Sequence, residues 1–261
     1  MGIEKILSNK SLNQSVFFPR VYDISDLPHT FKIDCMDAIL YCKYYEVENP
    51  SKTVILFYGN GECVEDYICM KFPHFFNYIN CNLLLVEYRG YGISSGIPTV
   101  HSVMQDVHFI IKALDNVPLE NIILFGRSIG FFSVIEGIKK FPQIGGIILN
   151  SCNACPEEVL IKYFNFDNIE SKTMRRDISK YFDVERTLMN FKGKSLILQA
   201  QDDLLVPHTN AFLLDGYLNN KSEVKIFESG GHNGIISKNA IEYFKTIKSF
   251  LESFDNSLEK K

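Results

Sequence analysis

Ser128 stands between two glycines in the run Gly126-Arg127-Ser128-Ile129-Gly130, which follows the apolar stretch Asn121-Ile122-Ile123-Leu124-Phe125 directly. A serine hydroxyl attacks an acyl carbon only when its backbone holds it clear of the fold and a base takes its proton. A strand that turns straight into a helix at G-x-S-x-G meets the first need. The serine then adopts a strained backbone conformation. Residues two before and two after it approach too closely for a Cβ, hence the two glycines. Phe131 to Lys140 reads as a buried helix, so both flanks agree with the turn.

The base is expected at His232, in Ser229-Gly230-Gly231-His232-Asn233, directly after a strand. The other five histidines (His29, His74, His101, His108 and His208) fall in the lead-in, in helices or at a helix start. A carboxylate must fix the imidazole tautomer, and the order serine, acid, histidine suits a strand-turn-helix nucleophile. Asp202 and Asp203 both qualify, because adjacent residues in the loop before Leu204-Leu205-Val206-Pro207 can each point either way. Negative charge on the attacked oxygen needs donors. One is the backbone N–H of Ile129 at a helix start, and the other comes from the loop Tyr58-Gly59-Asn60-Gly61-Glu62, whose glycines allow close approach.

Positioning these groups requires strands that end at one edge. Thr53–Tyr58 is a continuous apolar run of the kind buried on both faces of a parallel sheet, and Leu83–Tyr88, the stretch before Ser128, Gly146–Asn150, Ser195–Ala200 and Glu223–Phe227 read as further strands. Helices are expected over about 64–78, 100–114, 131–140, 209–218 and 238–254, and a hairpin turns at Met36-Asp37. This alternation predicts an α/β chain with a mostly parallel central sheet flanked by helices. Residues 1–30 form a lead-in, and the domain runs over 31–261. Its rhythm is broken at about 151–194 by a helical insertion without strands.

With these residues in place, the chain resembles the α/β-hydrolases, and more narrowly the bud-emergence-type serine hydrolases and alpha/beta-hydrolase-domain protein depalmitoylases. The resemblance covers about 31–250. It rests on Tyr58-Gly59-Asn60-Gly61, Glu87-Tyr88-Arg89-Gly90-Tyr91-Gly92-Ile93-Ser94-Ser95-Gly96, Gly126-Arg127-Ser128-Ile129-Gly130, Asp203-Leu204-Leu205-Val206-Pro207 and Gly231-His232-Asn233. It implies the α/β-hydrolase fold, Asp203 as the acid and Asn60 as the second oxyanion donor. Two positions depart from the family pattern: Tyr58 replaces a supporting histidine, and Ala200 replaces a glycine. Membrane-bound relatives carry an anchor or a cysteine cluster for acylation, which the first 30 residues here lack.

The expected chemistry is cleavage of an acyl ester or thioester. The alternatives are a peptidase or amidase of the same fold, or a non-catalytic ligand-binding module. The insertion is expected as a small cap, with Phe164 and Phe166 as candidate substrate contacts; packing the cap onto the domain is the competing role for its apolar residues. The partner is a small-molecule or acylated-protein substrate. Nucleic acid is not expected at a formal charge of −4. No run approaches the ~18 apolar residues of a spanning helix, which leaves only peripheral membrane contact. Seven irregularly spaced cysteines suit a cytoplasmic, reducing compartment. No metal or cofactor is expected, since Cys152-Asn153-Ala154-Cys155 lacks a second ligand pair.

Overall fold

The computed structural model describes residues 2–23, 28–164, 168–219 and 221–254, without the side chains of 168–171. Two short helices, α1 (Ile3–Leu7) and α2 (Lys10–Asn13), precede a hairpin of β1 (Thr30–Cys35) and β2 (Ala38–Tyr45). Then come β3 (Lys52–Phe57), α3 (Val64–Cys69), α4 (Phe72–Tyr78), β4 (Cys81–Leu85), α5 (Val100–Lys112) and β5 (Ile122–Arg127). A 3₁₀ turn at Ser128–Gly130 leads into α6 (Phe131–Lys140) and β6 (Gly146–Asn150). Three helices follow without a strand: α7 (Pro156–Phe164), α8 (Asn168–Phe182) and α9 (Val184–Asn190). The chain closes with β7 (Lys194–Ala200), α10 (Thr209–Tyr217), β8 (Glu223–Phe227) and α11 (Ile235–Glu252).

The eight strands form one sheet in the order β1-β2-β4-β3-β5-β6-β7-β8. Only the β1/β2 and β2/β4 pairs are antiparallel. From β4 onward every neighbour is parallel, so the carboxyl ends of β3, β5, β7 and β8 lie along one edge. Phe57 pairs with Gly126 and Ala200 with Phe227, which brings the four following loops level with one another. Ligands of open α/β sheets bind outside this edge.

Burial explains the strands. Every residue of β5 and β6 is buried, as is β3 after its first residue, and between their polar end residues all three run apolar without polar alternation. In α5 the buried set Val100, Val103, Met104, Val107, Ile110 and Ile111 has helical spacing, and Thr99 caps the start by accepting the Ser102 N–H. Each large apolar side chain buried this way contributes about 1.5–3 kcal/mol.

Three expectations shift. The single helix over 64–78 is two, because Lys71 takes a left-handed φ of 64° and Pro73 occupies the first turn of the second. The strand at Leu83–Tyr88 leaves the ladder after Leu85, and the last helix begins at Ile235. The lead-in is anchored on both sides of the edge. Ser15 Oγ donates to the Tyr163 carbonyl at 2.9 Å, and the Phe18 N–H donates to Asn60 Oδ1 at 3.2 Å.

Candidate active site

The turn at Ser128 shows why glycine is needed on either side. Ser128 has φ of 52°, in the left-handed region that L side chains avoid. A Cβ on Gly130 would lie 2.1 Å from the Phe57 carbonyl oxygen, and one on Gly126 would lie 2.6 Å from Val134 Cγ2 and 3.0 Å from the Gly130 backbone. Strand β5 and helix α6 can therefore close on each other only with glycine at both places, and the closure presents the hydroxyl at the edge.

His232 arrives from the loop after β8. Its Nε2 lies 3.0 Å from Ser128 Oγ and its Nδ1 lies 2.8 Å from Asp203 Oδ2. The buried Asp203 carboxylate is saturated. Oδ1 accepts the Leu205 and Val206 N–H groups at 2.9 and 2.8 Å, and Oδ2 also accepts Gln199 Nε2 at 3.0 Å. Burial pushes the Asp203 pKa up, but the hydrogen bonds from His232 and from the backbone outweigh it and hold the carboxyl below its ordinary value. A charged carboxylate fixes Nδ1 as the protonated nitrogen, which leaves the lone pair of Nε2 facing the serine.

The two adjacent aspartates divide the work. Asp202, exposed, turns to the histidine loop instead, accepting the Gly231 N–H at 2.6 Å and the Gly230 N–H at 3.2 Å. One carboxylate thus orients the imidazole and its neighbour holds the backbone that carries it. Gln199 gives no sequence signal, since a lone glutamine in an apolar strand reads as ordinary strand chemistry. Its amide nonetheless bridges Asp203 Oδ2 and the Val206 carbonyl.

Ser128 and His232 open onto a cavity of about 780 Å³. Asn60 and Ile129, whose backbone N–H groups were expected as the oxyanion donors, line it together with Ser128. Its far wall comes from α7 and the loops, through Pro156, Val159, Ile161, Tyr163, Leu205 and Val206. Phe164, expected as a substrate contact, is not part of that wall. It packs in the main core on the same face of α7 as Leu160, four residues earlier, and neither of the two lines the cavity. Phe166 lies outside the described residues.

A buried thiol lies near the turn. Cys152 Sγ lies 3.3 Å from the Gly126 carbonyl, and burial pushes its pKa up to about 12. Among the described residues no group of three or more histidines, cysteines and carboxylates is placed to hold a metal ion.

No family model matches the chain. It is 32% identical over 106 residues to mouse (Mus musculus) alpha/beta hydrolase domain-containing protein 17C, across 39% of this chain and 33% of that protein. A Caenorhabditis elegans relative, alpha/beta hydrolase domain-containing protein aho-3, matches at 32% identity over 39% of this chain and 32% of its own length. The matched region spans about a third of the length of these curated relatives. Among solved structures, a Pyrococcus furiosus esterase superposes with a TM-score of 0.68 at 19% identity, covering 90% of this chain and 99% of that one. A Paleococcus ferrophilus monoacylglycerol lipase does so with a TM-score of 0.63 at 19% identity, covering 82% and 98%. The chain has the α/β-hydrolase fold, and part of its sequence is similar to the alpha/beta hydrolase domain-containing proteins.

Proposed function

We propose that the protein is a serine hydrolase that cleaves an acyl ester or thioester through Ser128, His232 and Asp203. The reading rests on the unbroken line of hydrogen bonds from Asp203 through His232 to Ser128, facing a largely apolar cavity. His232 Nε2 takes the serine proton as Oγ attacks the acyl carbon. The oxyanion that forms is stabilised by the backbone N–H groups of Ile129 and Asn60. The imidazolium then protonates the leaving alcohol or thiol, and water repeats the sequence to free the acid and restore Ser128. The esterase and lipase neighbours support acyl substrates. Residues 31–261 form the hydrolase domain in this reading, with 151–194 as a cap over the acyl chain.

No helix among the described residues is long and apolar enough to cross a membrane, and all seven cysteines are free thiols. The free thiols support the reducing cytoplasm as the working compartment. The test is labelling by a fluorophosphonate, followed by turnover of p-nitrophenyl esters, an acyl-thioester and an aminoacyl amide. Labelling and ester hydrolysis that vanish in Ser128→Ala are expected. Turnover of the amide alone would make the protein an amidase, and no labelling at all would make it a binding module.

A further inference from the structure

Arg127 holds the variable position between Gly126 and Ser128, yet its side chain is only 4% exposed. A buried cation is costly unless it is paired and hydrogen-bonded, and an apolar side chain of similar volume usually serves stability as well or better. The partners of this guanidinium are therefore informative. Nη1 meets Glu62 Oε1 at 2.5 Å. Nη2 donates to the His232 carbonyl at 2.8 Å and to Asn233 Oδ1 at 3.2 Å. The second oxygen of Glu62 accepts the Gly59 N–H at 2.7 Å and the Tyr67 hydroxyl at 2.9 Å.

One side chain thus joins three chain segments. It rises from the residue before the nucleophile and grips the backbone of the base. Through Glu62 it also fixes the amide that precedes Asn60. Gly59 makes room for this, because a Cβ there would lie 2.4 Å from Arg127 Nη1. Burial lowers the Arg127 pKa, but facing Glu62 and two tyrosines it stays above its ordinary value, so the group remains charged. Lysine could reach one loop, whereas the planar fork of arginine reaches both.

We propose that Arg127 and Glu62 act as a positioning pair that sets the oxyanion loop and the histidine loop in one register beneath Ser128. This rests on the hydrolase reading for its catalytic consequence, though the coupling of the two loops does not. Groups that stabilise a transition state must be held in place beforehand, and small displacements act on kcat.

The full-length chain is compared with Arg127→Met, Arg127→Lys, Glu62→Gln and the double variant Arg127→Met/Glu62→Gln. Two readouts are used: turnover of p-nitrophenyl butyrate, and amide hydrogen exchange. For Arg127→Met, kcat should fall about 10- to 100-fold with KM nearly unchanged. Arg127→Lys should recover part of that loss, and the double variant should be no worse than Arg127→Met. In Glu62→Gln, the milder change, the Gly59 amide should exchange faster. So should the Gly230 and Gly231 amides, which Glu62 itself does not touch and reaches only through Arg127. Faster exchange at Gly59 alone would overturn the proposal, as would a uniform rise extending to β6. A loss seen only in KM would overturn it too. If the unaltered chain proves inactive, the hydrolase reading fails while the exchange measurement still decides the coupling.

Discussion

The carboxyl edge of the sheet and the helices α7 and α8 face each other across the cavity, and they are held together by different forces. At the edge the two carboxylates are tied by several directional bonds: that of Asp203 accepts four, and that of Asp202 accepts two from the histidine loop. Across the cavity the helices are seated by apolar burial, through Leu160, Phe164, Ile178 and Phe182. The ion pair of Arg175 with Glu158 at the cavity wall is about half exposed on both sides, a setting in which such pairs contribute little. Hydrogen bonds fix angles and distances, whereas apolar contact fixes only area and volume. The edge is suited to chemistry, which is intolerant of small displacement, and the helices to a graded choice among chain lengths.

The largest effects should therefore come from the edge. Ser128→Ala should lower kcat for p-nitrophenyl butyrate by at least about 10⁴-fold. His232→Ala should do the same, and the double variant should add little, because the three groups act as a unit. Full turnover by Ser128→Ala would remove the mechanism. Asp203→Asn should cost about 10⁴-fold in kcat by favouring the wrong imidazole tautomer. It also carries a stability signature. The folded-state pKa of Asp203 is depressed, so its stabilisation is present above the unfolded value near 3.9 and is lost as pH falls through the folded value. Urea denaturation at pH 3 and pH 6 should accordingly differ less for Asp203→Asn than for the unaltered chain.

The elbow was legible in the sequence because its glycines report a steric fact: Gly130 faces the Phe57 carbonyl so closely that no other residue fits. Apolar runs and loop positions likewise pointed to the sheet and to His232. The division between Asp202 and Asp203 was not legible from physics, since their roles depend on which backbone amides each meets after folding. Only the resemblance of Asp203-Leu204-Leu205-Val206-Pro207 to a family pattern separated them. Gln199 and Arg127 were silent for a similar reason, because a single polar residue in an apolar strand announces neither its partners nor its direction. The break at Lys71 was within reach, since Pro73 is a signal for a new helix start.

A smaller effect should come from Asp202, at the outer side of the same edge. Its pKa is lowered by the Gly231 and Gly230 amides it accepts, which marks a charged group facing two donors. Asp202→Asn keeps an acceptor oxygen and should lower kcat only a few-fold. Asp202→Ala leaves both amides without that acceptor and should cost about tenfold, through a histidine loop less well held. Equal losses in the two variants would show that charge, not the loop anchor, is what Asp202 supplies. A larger loss than in Asp203→Asn would reverse the assignment of the two carboxylates.

The smallest effects, and the most selective, should come from across the cavity. Val159 and Ile161 contribute to its wall, whereas Phe164 packs into the core beside Leu160. An acyl chain lying along that wall gains about 0.8 kcal/mol per buried methylene, roughly fourfold in kcat/KM for each carbon until the space is filled. The p-nitrophenyl esters from acetate to octanoate should therefore rise in kcat/KM. Val159→Ala and Ile161→Ala should flatten the rise while leaving acetate nearly unchanged. Phe164→Ala should behave otherwise, lowering unfolding stability by about 3 kcal/mol and leaving the slope with chain length intact. If Phe164→Ala flattens the slope at unchanged stability, Phe164 itself meets the acyl chain. If none of the three alters the slope, acyl length is read at the edge itself, and the division of labour between the two regions falls.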